Sequence, residues 1–148
     1  MKQVIKNLYL GDMHSVPRDA DFVLSCAAEV FQRDVPLEHQ KDQFYYEDKR
    51  LLLNFEDYPE YENINQATVK LGLDELKRHL DHNEKVYVHC VYGINRSASL
   101  VFMYLVREGI ITAPTYKEAQ NEFWDLYSNH SPNFGWKQFL IKEFPYHF

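Results

Sequence analysis

Short apolar runs alternate with longer amphipathic stretches along this chain. The segment 22–27 (Phe-Val-Leu-Ser-Cys-Ala) is almost entirely apolar, which is typical of a strand buried on both faces of a sheet. Two further runs are rich in Phe, Tyr and Leu, as half-buried strands usually are. The pattern therefore predicts strands at residues 4–10, 21–28, 43–47, 50–55 and 85–89.

Helical periodicity begins in the middle of the chain. Apolar residues at 69, 73, 76 and 80 recur every three or four positions, with Asn63 and Gln66 in a capping-box relation before them and Asn83 as a stop. A second helix is expected from Ser97 to Glu108, apolar on most sides and ended by Gly109. Two more helices are expected at 115–127, opened by Thr115 and Glu118, and at 132–144.

Strands that come first and then alternate with helices predict an α/β protein. We expect a central, mostly parallel sheet of about four to five strands flanked by helices. No repeat, linker or low-complexity tract divides the chain, so residues 1–148 are interpreted as one domain.

Composition narrows the classes of function. The 148 residues are 45% hydrophobic and 26% charged, with a net charge of −6 that opposes binding to nucleic acid or an anionic membrane. No apolar run is long enough for a signal peptide or a spanning helix. The two cysteines, Cys26 and Cys90, cannot form a disulfide framework. We expect a soluble domain in the reducing cytoplasm; the oligomeric state stays open.

The segment His89-Cys90-Val91-Tyr92-Gly93-Ile94-Asn95-Arg96-Ser97 carries the chemistry. It lies between a predicted strand and a helix, where α/β sheets place ligands. Backbone N–H groups of residues 91–96 can converge on an anion at the helix N-terminus, and Gly93 permits the tight turn. Arg96 adds a planar fork for two phosphate oxygens, and the same positive surroundings favour a Cys90 thiolate. An inert core cysteine would not explain Gly93 and Arg96 in the same turn.

This segment resembles the signature of cysteine-dependent protein tyrosine phosphatases, specifically the small (atypical) dual-specificity phosphatases. The likeness extends to 96–101 with Tyr104-Leu105, to Asn7-Leu8-Tyr9-Leu10-Gly11, and to Pro132-Asn133-Phe134 with the following Gln138-Phe139-Leu140. It covers about residues 4–144, although only the loop is highly specific.

The resemblance implies a phosphoric monoester hydrolase that uses neither a cofactor nor a metal. Cys90 would attack phosphorus and form a phosphocysteine. Arg96 would stabilise the transferring group together with the amides of the loop, Val91, Tyr92, Gly93, Ile94 and Asn95. Ser97 would assist departure of the thiolate, and His89 would orient the loop.

The leaving oxygen needs a proton from an acid on another loop. Family members carry an Asp about thirty residues before the cysteine, which points to Asp57, with the neighbouring Glu56 as the alternative. Because the first step requires Cys90 ionised and Asp57 protonated, we expect a bell-shaped rate profile with an optimum on the mildly acidic side of neutral.

Two loop positions depart from the family pattern: Tyr92 stands where a small residue is usual, and Asn95 where Ser is usual. The variable loop positions carry no charge, which favours a single phosphate over a polyanion. The expected substrate is a protein or peptide bearing phosphotyrosine, and phosphoserine or phosphothreonine as well. A small non-protein monoester and, less favoured, a non-catalytic phosphate-binding domain are the alternatives.

Three other features of the sequence are expected to have no catalytic role. Cys26 falls within a strand pattern and is expected to be buried. His79 and His82 are expected on a solvated helix face rather than at a zinc site. The aromatic C-terminus, residues 144–148, either packs on the domain or meets a partner.

Overall fold

Four parallel strands form the centre of the sheet in this computed structural model, which describes residues 1–148. The strands are β1 (Lys2–Ile5), β2 (Leu8–Gly11), β3 (Phe22–Ser25), β4 (Phe44–Glu47), β5 (Arg50–Leu53) and β6 (Val86–His89). The helices are α1 (Ala28–Asp34), α2 (Gln66–Asp81), α3 (Arg96–Arg107), α4 (Tyr116–Leu126) and α5 (Phe134–Lys142), with single 3-10 turns at Leu37–His39 and Tyr61–Asn63.

The sheet has the order β1-β2-β6-β3-β5-β4. Strands β2, β6, β3 and β5 are parallel, while β1 and β4 pair antiparallel at the two edges. The predicted α/β class is confirmed. Because the central strands run the same way, their carboxyl ends meet at one edge of the sheet, and the loops after β3, β5 and β6 lie there together.

The sheet has six strands rather than four or five because residues 4–10 do not form one strand. Asn7 takes a left-handed conformation with φ of 68° and turns the chain back, so β1 pairs antiparallel with β2. Asparagine is one of the few residues that tolerates this conformation. Helix α1 was not expected from the sequence, since seven residues are too few to show a helical period.

Helix α2 begins later than its predicted capping box. The side chain of Asn65, not Asn63, accepts a hydrogen bond of 3.1 Å from the amide of Thr68. Asn63 instead closes the preceding 3-10 turn. The box at the start of α4 is confirmed in part, because the hydroxyl of Thr115 accepts from the amide of Glu118 at 3.2 Å.

Helix α3 crosses the face of the sheet and is buried on almost every side, as its apolar sequence predicted. It ends before Gly109, whose φ is 74°. The aromatic C-terminus packs on the domain: the hydroxyl of Tyr146 donates to the carbonyl of Leu140 at 2.7 Å, and its ring contacts Phe102. Packing therefore accounts for this tail.

Cys26, His79 and His82 take no part in the candidate site. Cys26 is completely buried and free. The ring of His79 stacks on Phe22 with centroids 3.7 Å apart, so His79 is buried and the expectation of a solvated face was wrong for it. His82 is exposed, and no group of three His, Cys, Asp or Glu side chains is close enough to hold a metal ion. None of the helices is both long and apolar enough to cross a membrane.

Candidate active site

In the loop between β6 and α3, three carbonyl groups accept hydrogen bonds from the surrounding scaffold. The carbonyl of Val91 accepts from the amide of Met13 at 3.1 Å, and that of Ile94 accepts from the amide of Ser131 at 2.9 Å. The hydroxyl of Tyr127 donates to the carbonyl of Gly93 at 2.6 Å. With the carbonyls held outward, the amides are left to face the centre of the loop.

No oxygen of the protein accepts a hydrogen bond from the amide N–H groups of residues 91–95. The amide of Gly93 is directed at the sulfur of Cys90. A turn of such donors that leads into a helix N-terminus is an anion-binding arrangement. Gly93 has φ of 73°, and a Cβ there would lie 2.6 Å from the carbonyl oxygen of Gly11. Only glycine fits at this position.

Cys90 lies at the base of this loop and is 2% exposed. The hydroxyl of Ser97 donates to its Sγ at 3.1 Å. Burial works to raise the pKa of the thiol, but hydrogen bonds from the hydroxyl and amide of Ser97 and the charge of Arg96 outweigh it. The net effect lowers the pKa of Cys90 from its ordinary value, which favours the nucleophilic thiolate.

The guanidinium of Arg96 makes hydrogen bonds along one edge and none along the other. Nη1 and Nη2 donate to the carboxylate of Glu29 at 2.5 and 3.1 Å, and Nη1 also donates to the carbonyl of Phe55 at 2.9 Å. Nε is buried and has no hydrogen-bond partner. The edge formed by Nε and the second N–H of Nη2 is therefore a free two-donor fork, suited to two phosphate oxygens.

Glu29 is a site residue that the sequence did not reveal. It stands in the first turn of α1, directly after β3, and so at the same sheet edge as the cysteine loop. The sequence does place a carboxylate shortly after a buried strand. Its proximity to the site became clear only from the structure, in which α1 follows β3 almost immediately.

Asp57 lies over the loop and is held by two asparagines. The side-chain amide of Asn95 donates to Oδ1 and to the backbone oxygen of Asp57, both at 2.9 Å. The side-chain amide of Asn133 donates to the same two oxygens at 3.2 and 2.8 Å. Oδ1 is also 3.5 Å from Nε of Arg96. Oδ2 has no such partner and is the oxygen available to carry a proton.

A pocket of about 150 Å³ is lined by six of the ten predicted site residues; Val91, Gly93, Ser97 and His89 are not in its lining. It is lined by Asp57, Tyr58, Cys90, Tyr92, Ile94, Asn95, Arg96, Ser131 and Asn133. Glu56, the alternative acid, lines a separate pocket instead. The structure thus places Asp57, and not Glu56, beside Cys90.

Helix α5 positions the segment that carries Asp57. The indole N–H of Trp136 donates to the carbonyl of Glu56 at 2.9 Å. A Cβ at Gly135 would lie only 1.9 Å from the carbonyl oxygen of Pro59, so the helix backbone abuts this segment directly. The supporting roles of Asn133 and Trp136 depend on how α5 docks, and the sequence alone did not reveal them.

His89 is buried at the start of the loop, whereas Tyr92 within the loop is exposed. Nδ1 of His89 donates to the carbonyl of Cys90 at 2.9 Å, and burial lowers the pKa of this imidazole, which favours its neutral form. This hydrogen bond is consistent with the expected role of His89 in orienting the loop. Tyr92 is 75% exposed and forms the rim of the pocket rather than its wall.

We expect Asn95→Ser to reduce kcat by about tenfold, because a serine side chain is too short to reach both Asp57 and Asn133. The loss should be larger for a phosphoserine peptide than for an aryl phosphate, whose leaving group needs less protonation. Steady-state kinetics on both substrates measures it. Asn63→Ser, at an exposed asparagine outside the pocket, is the control. Equal losses on the two substrates would contradict the positioning of Asp57 by Asn95.

Comparisons with known proteins agree with this geometry. The family model described as the dual specificity phosphatase catalytic domain matches residues 19–144. A search of curated proteins finds no match. Among solved structures, DUSP15 is similar with a TM-score of 0.71 and 19% identity, over 99% of this chain and 88% of that one.

Two other solved structures show the range of proteins with this fold. Human tyrosine phosphatase-like serine/threonine/tyrosine-interacting protein has a TM-score of 0.68 and 19% identity, over 95% of this chain and 92% of its own. PTPMT1 in complex with PI(5)P has a TM-score of 0.63 and 17% identity, over 93% and 90%. At these identities the likeness concerns the fold.

Proposed function

The chain belongs to the dual specificity phosphatase catalytic-domain family and is a cysteine-dependent phosphatase, and we propose that it acts on phosphorylated protein side chains through a phosphocysteine intermediate. The proposed substrates are phosphotyrosine and also phosphoserine and phosphothreonine monoesters. Action in the reducing cytoplasm is part of the proposal, since Cys90 acts as a free thiolate.

In the first step the Cys90 thiolate attacks phosphorus and an S–P bond forms. The P–O bond to the side chain breaks, and Oδ2 of Asp57 gives its proton to the departing oxygen. The equatorial phosphate oxygens are held by the free edge of Arg96 and by the loop amides, where charge accumulates in the transition state.

In the second step Asp57, now ionised, accepts a proton from a water molecule that attacks the phosphocysteine. The S–P bond breaks, and phosphate leaves. The hydroxyl of Ser97, 3.1 Å from Sγ, stabilises the thiolate that is released. The chain then returns to its starting protonation state.

One observation carries the proposal: the buried Nε of Arg96 has no hydrogen-bond partner, with Asp57 Oδ1 no closer than 3.5 Å, in a pocket that also contains a cysteine of lowered pKa. A buried, unpaired guanidinium donor costs free energy unless a ligand satisfies it. A phosphate that bound there would lie next to the sulfur.

The rim supports a protein side chain as the carrier of the phosphate. Arg96 is the only cationic residue that lines the pocket, so the pocket matches one phosphate rather than several. The rim residues Tyr58 and Tyr92 are 79% and 75% exposed, and offer aromatic contacts to a peptide. A volume of about 150 Å³ has room for one phosphate group and little more, which favours short as well as long phosphorylated side chains.

The experiment compares kcat/KM for four substrates on the intact chain: a phosphotyrosine peptide, a phosphoserine peptide, a generic aryl phosphate and a phosphoinositide monophosphate in vesicles. We expect the peptides to exceed the aryl phosphate by at least about tenfold, because rim contacts add binding that the small ester lacks. A preference for the phosphoinositide, or peptides no better than the aryl ester, would instead support a non-protein monoester.

A further inference from the structure

A larger cavity adjoins the candidate active site. It has a volume of about 500 Å³ and lies between α4 and the start of α5. Ser131 lines both this cavity and the pocket that holds Cys90, so the two are continuous along the surface. The proposed phosphate chemistry uses none of its other residues.

The charged groups of this cavity are all cationic. Lys117 on α4 and Lys137 on α5 line it, no acidic residue does, and neither lysine forms an ion pair. The three acidic residues of α4, Glu118, Glu122 and Asp125, lie outside the lining. The chain as a whole has a net charge of −6, so the positive charge of this cavity is opposite to that of the protein overall.

The floor of the cavity is hydrogen-bonded and uncharged. The side-chain amide of Gln120 donates to Nδ1 of His130 at 3.0 Å, so the ring proton lies on Nε2 and is donated to Ser99 Oγ, also at 3.0 Å. Burial lowers the pKa of His130 to about 3, which keeps the ring uncharged at neutral pH. The carbonyl of His130 accepts from the indole N–H of Trp124 at 2.9 Å, which fixes one wall.

We propose that this cavity binds an acidic segment of the substrate, formed by Asp or Glu side chains a few residues from the phosphorylated one. The inference rests on the proposed protein phosphatase function and adds to it a preference for sequence. Lys117 and Lys137 supply the charge complementarity, while the half-exposed Trp124 packs against the stems of the acidic side chains. The shared Ser131 marks where the peptide would pass from one site to the other.

The test uses two phosphopeptides that differ only in flanking residues, Glu in one and Gln in the other. For the wild-type chain we expect kcat/KM to be about fivefold higher for the Glu peptide, mostly through KM, since exposed lysine–carboxylate pairs are individually weak. The ratio should fall toward one at high salt. In Lys117→Glu/Lys137→Glu the ratio should drop below one, with turnover of an aryl phosphate unchanged.

The control is Lys6→Glu/Lys41→Glu, two exposed lysines outside the cavity, which changes the net charge by the same amount. It should leave the ratio within twofold of wild type. A wild-type ratio of one, or an equal response of the two double variants, would overturn the proposal. The affinity of both peptides for Cys90→Ser measures binding to the cavity without turnover. If peptides bind with the expected preference but are not hydrolysed by the wild-type chain, the proposed function is wrong. If their affinity does not change when Lys117 and Lys137 are replaced, the proposal for the cavity is wrong.

Discussion

Cys90→Ser is expected to reduce turnover of every phosphomonoester by at least about 10⁴-fold, while the chain remains folded and still binds its ligand. Burial acts against ionisation of Cys90, but the Ser97 hydrogen bonds and the charge of Arg96 lower its pKa overall, which favours the thiolate. A serine hydroxyl has no comparable ionised fraction. The amides of residues 91–95 and the free edge of Arg96 are untouched, so affinity for inorganic phosphate should persist.

The measurement pairs steady-state kinetics with phosphate binding, and follows the covalent intermediate by mass spectrometry of acid-quenched wild-type enzyme. Cys26→Ala is the matched control, because Cys26 is the other free and buried cysteine. It should keep turnover per folded molecule close to wild type. Full activity in Cys90→Ser would refute the mechanism outright.

Much of the candidate site could be predicted because nine consecutive residues form its phosphate-binding loop. A loop whose donors, glycine and nucleophile are adjacent in sequence needs only a strand before it and a helix after it to take shape. Residues 89–97 meet that condition, and the structure gathers the predicted side chains of Cys90, Arg96 and Ser97 as the resemblance implied.

The supporting residues could not be predicted because their positions depend on long-range packing. Glu29 reaches Arg96 only through the placement of β3 beside β6, and Asn133 reaches Asp57 only through the docking of α5. Neither contact leaves a period or a spacing in the sequence. Local errors had a different origin: Asn63 and Asn65 are both good helix caps, and the 3-10 turn before α2 decided between them.

Charge takes on a more specific meaning once these contacts are known. The net charge of −6 disfavours polyanions approaching the surface at large, yet two places on one face are positive. One is the loop around Cys90, which matches a single phosphate. The other is the adjoining cavity with Lys117 and Lys137, which matches carboxylates nearby. Together these features favour a phosphoresidue within an acidic sequence over a free polyphosphate.

Asp57→Asn is expected to slow turnover of a phosphoserine peptide by about 10²- to 10³-fold, within the usual contribution of a general acid. Asparagine is isosteric and can still accept the hydrogen bonds from Asn95 and Asn133, so the change removes the proton and leaves the geometry. An aryl phosphate with an acidic leaving group should lose much less. Glu56→Gln, at the adjacent carboxylate in a separate pocket, should behave as wild type.

The pH profile provides the sharper part of this prediction. The rate should rise with pH as Cys90 ionises. Burial opposes this ionisation, but the Ser97 hydrogen bonds and the charge of Arg96 lower the pKa of Cys90 overall and move the rise to lower pH. The first step also needs the proton that Asp57 donates to the leaving group, so the wild-type profile should be bell-shaped with a falling limb at higher pH. In Asp57→Asn that fall should disappear and the rising limb should remain. Two results would contradict this prediction: a wild-type rate that still rises through pH 8, or a falling limb that persists in Asp57→Asn. Either would show that Asp57 is not the general acid and would favour Glu56 instead.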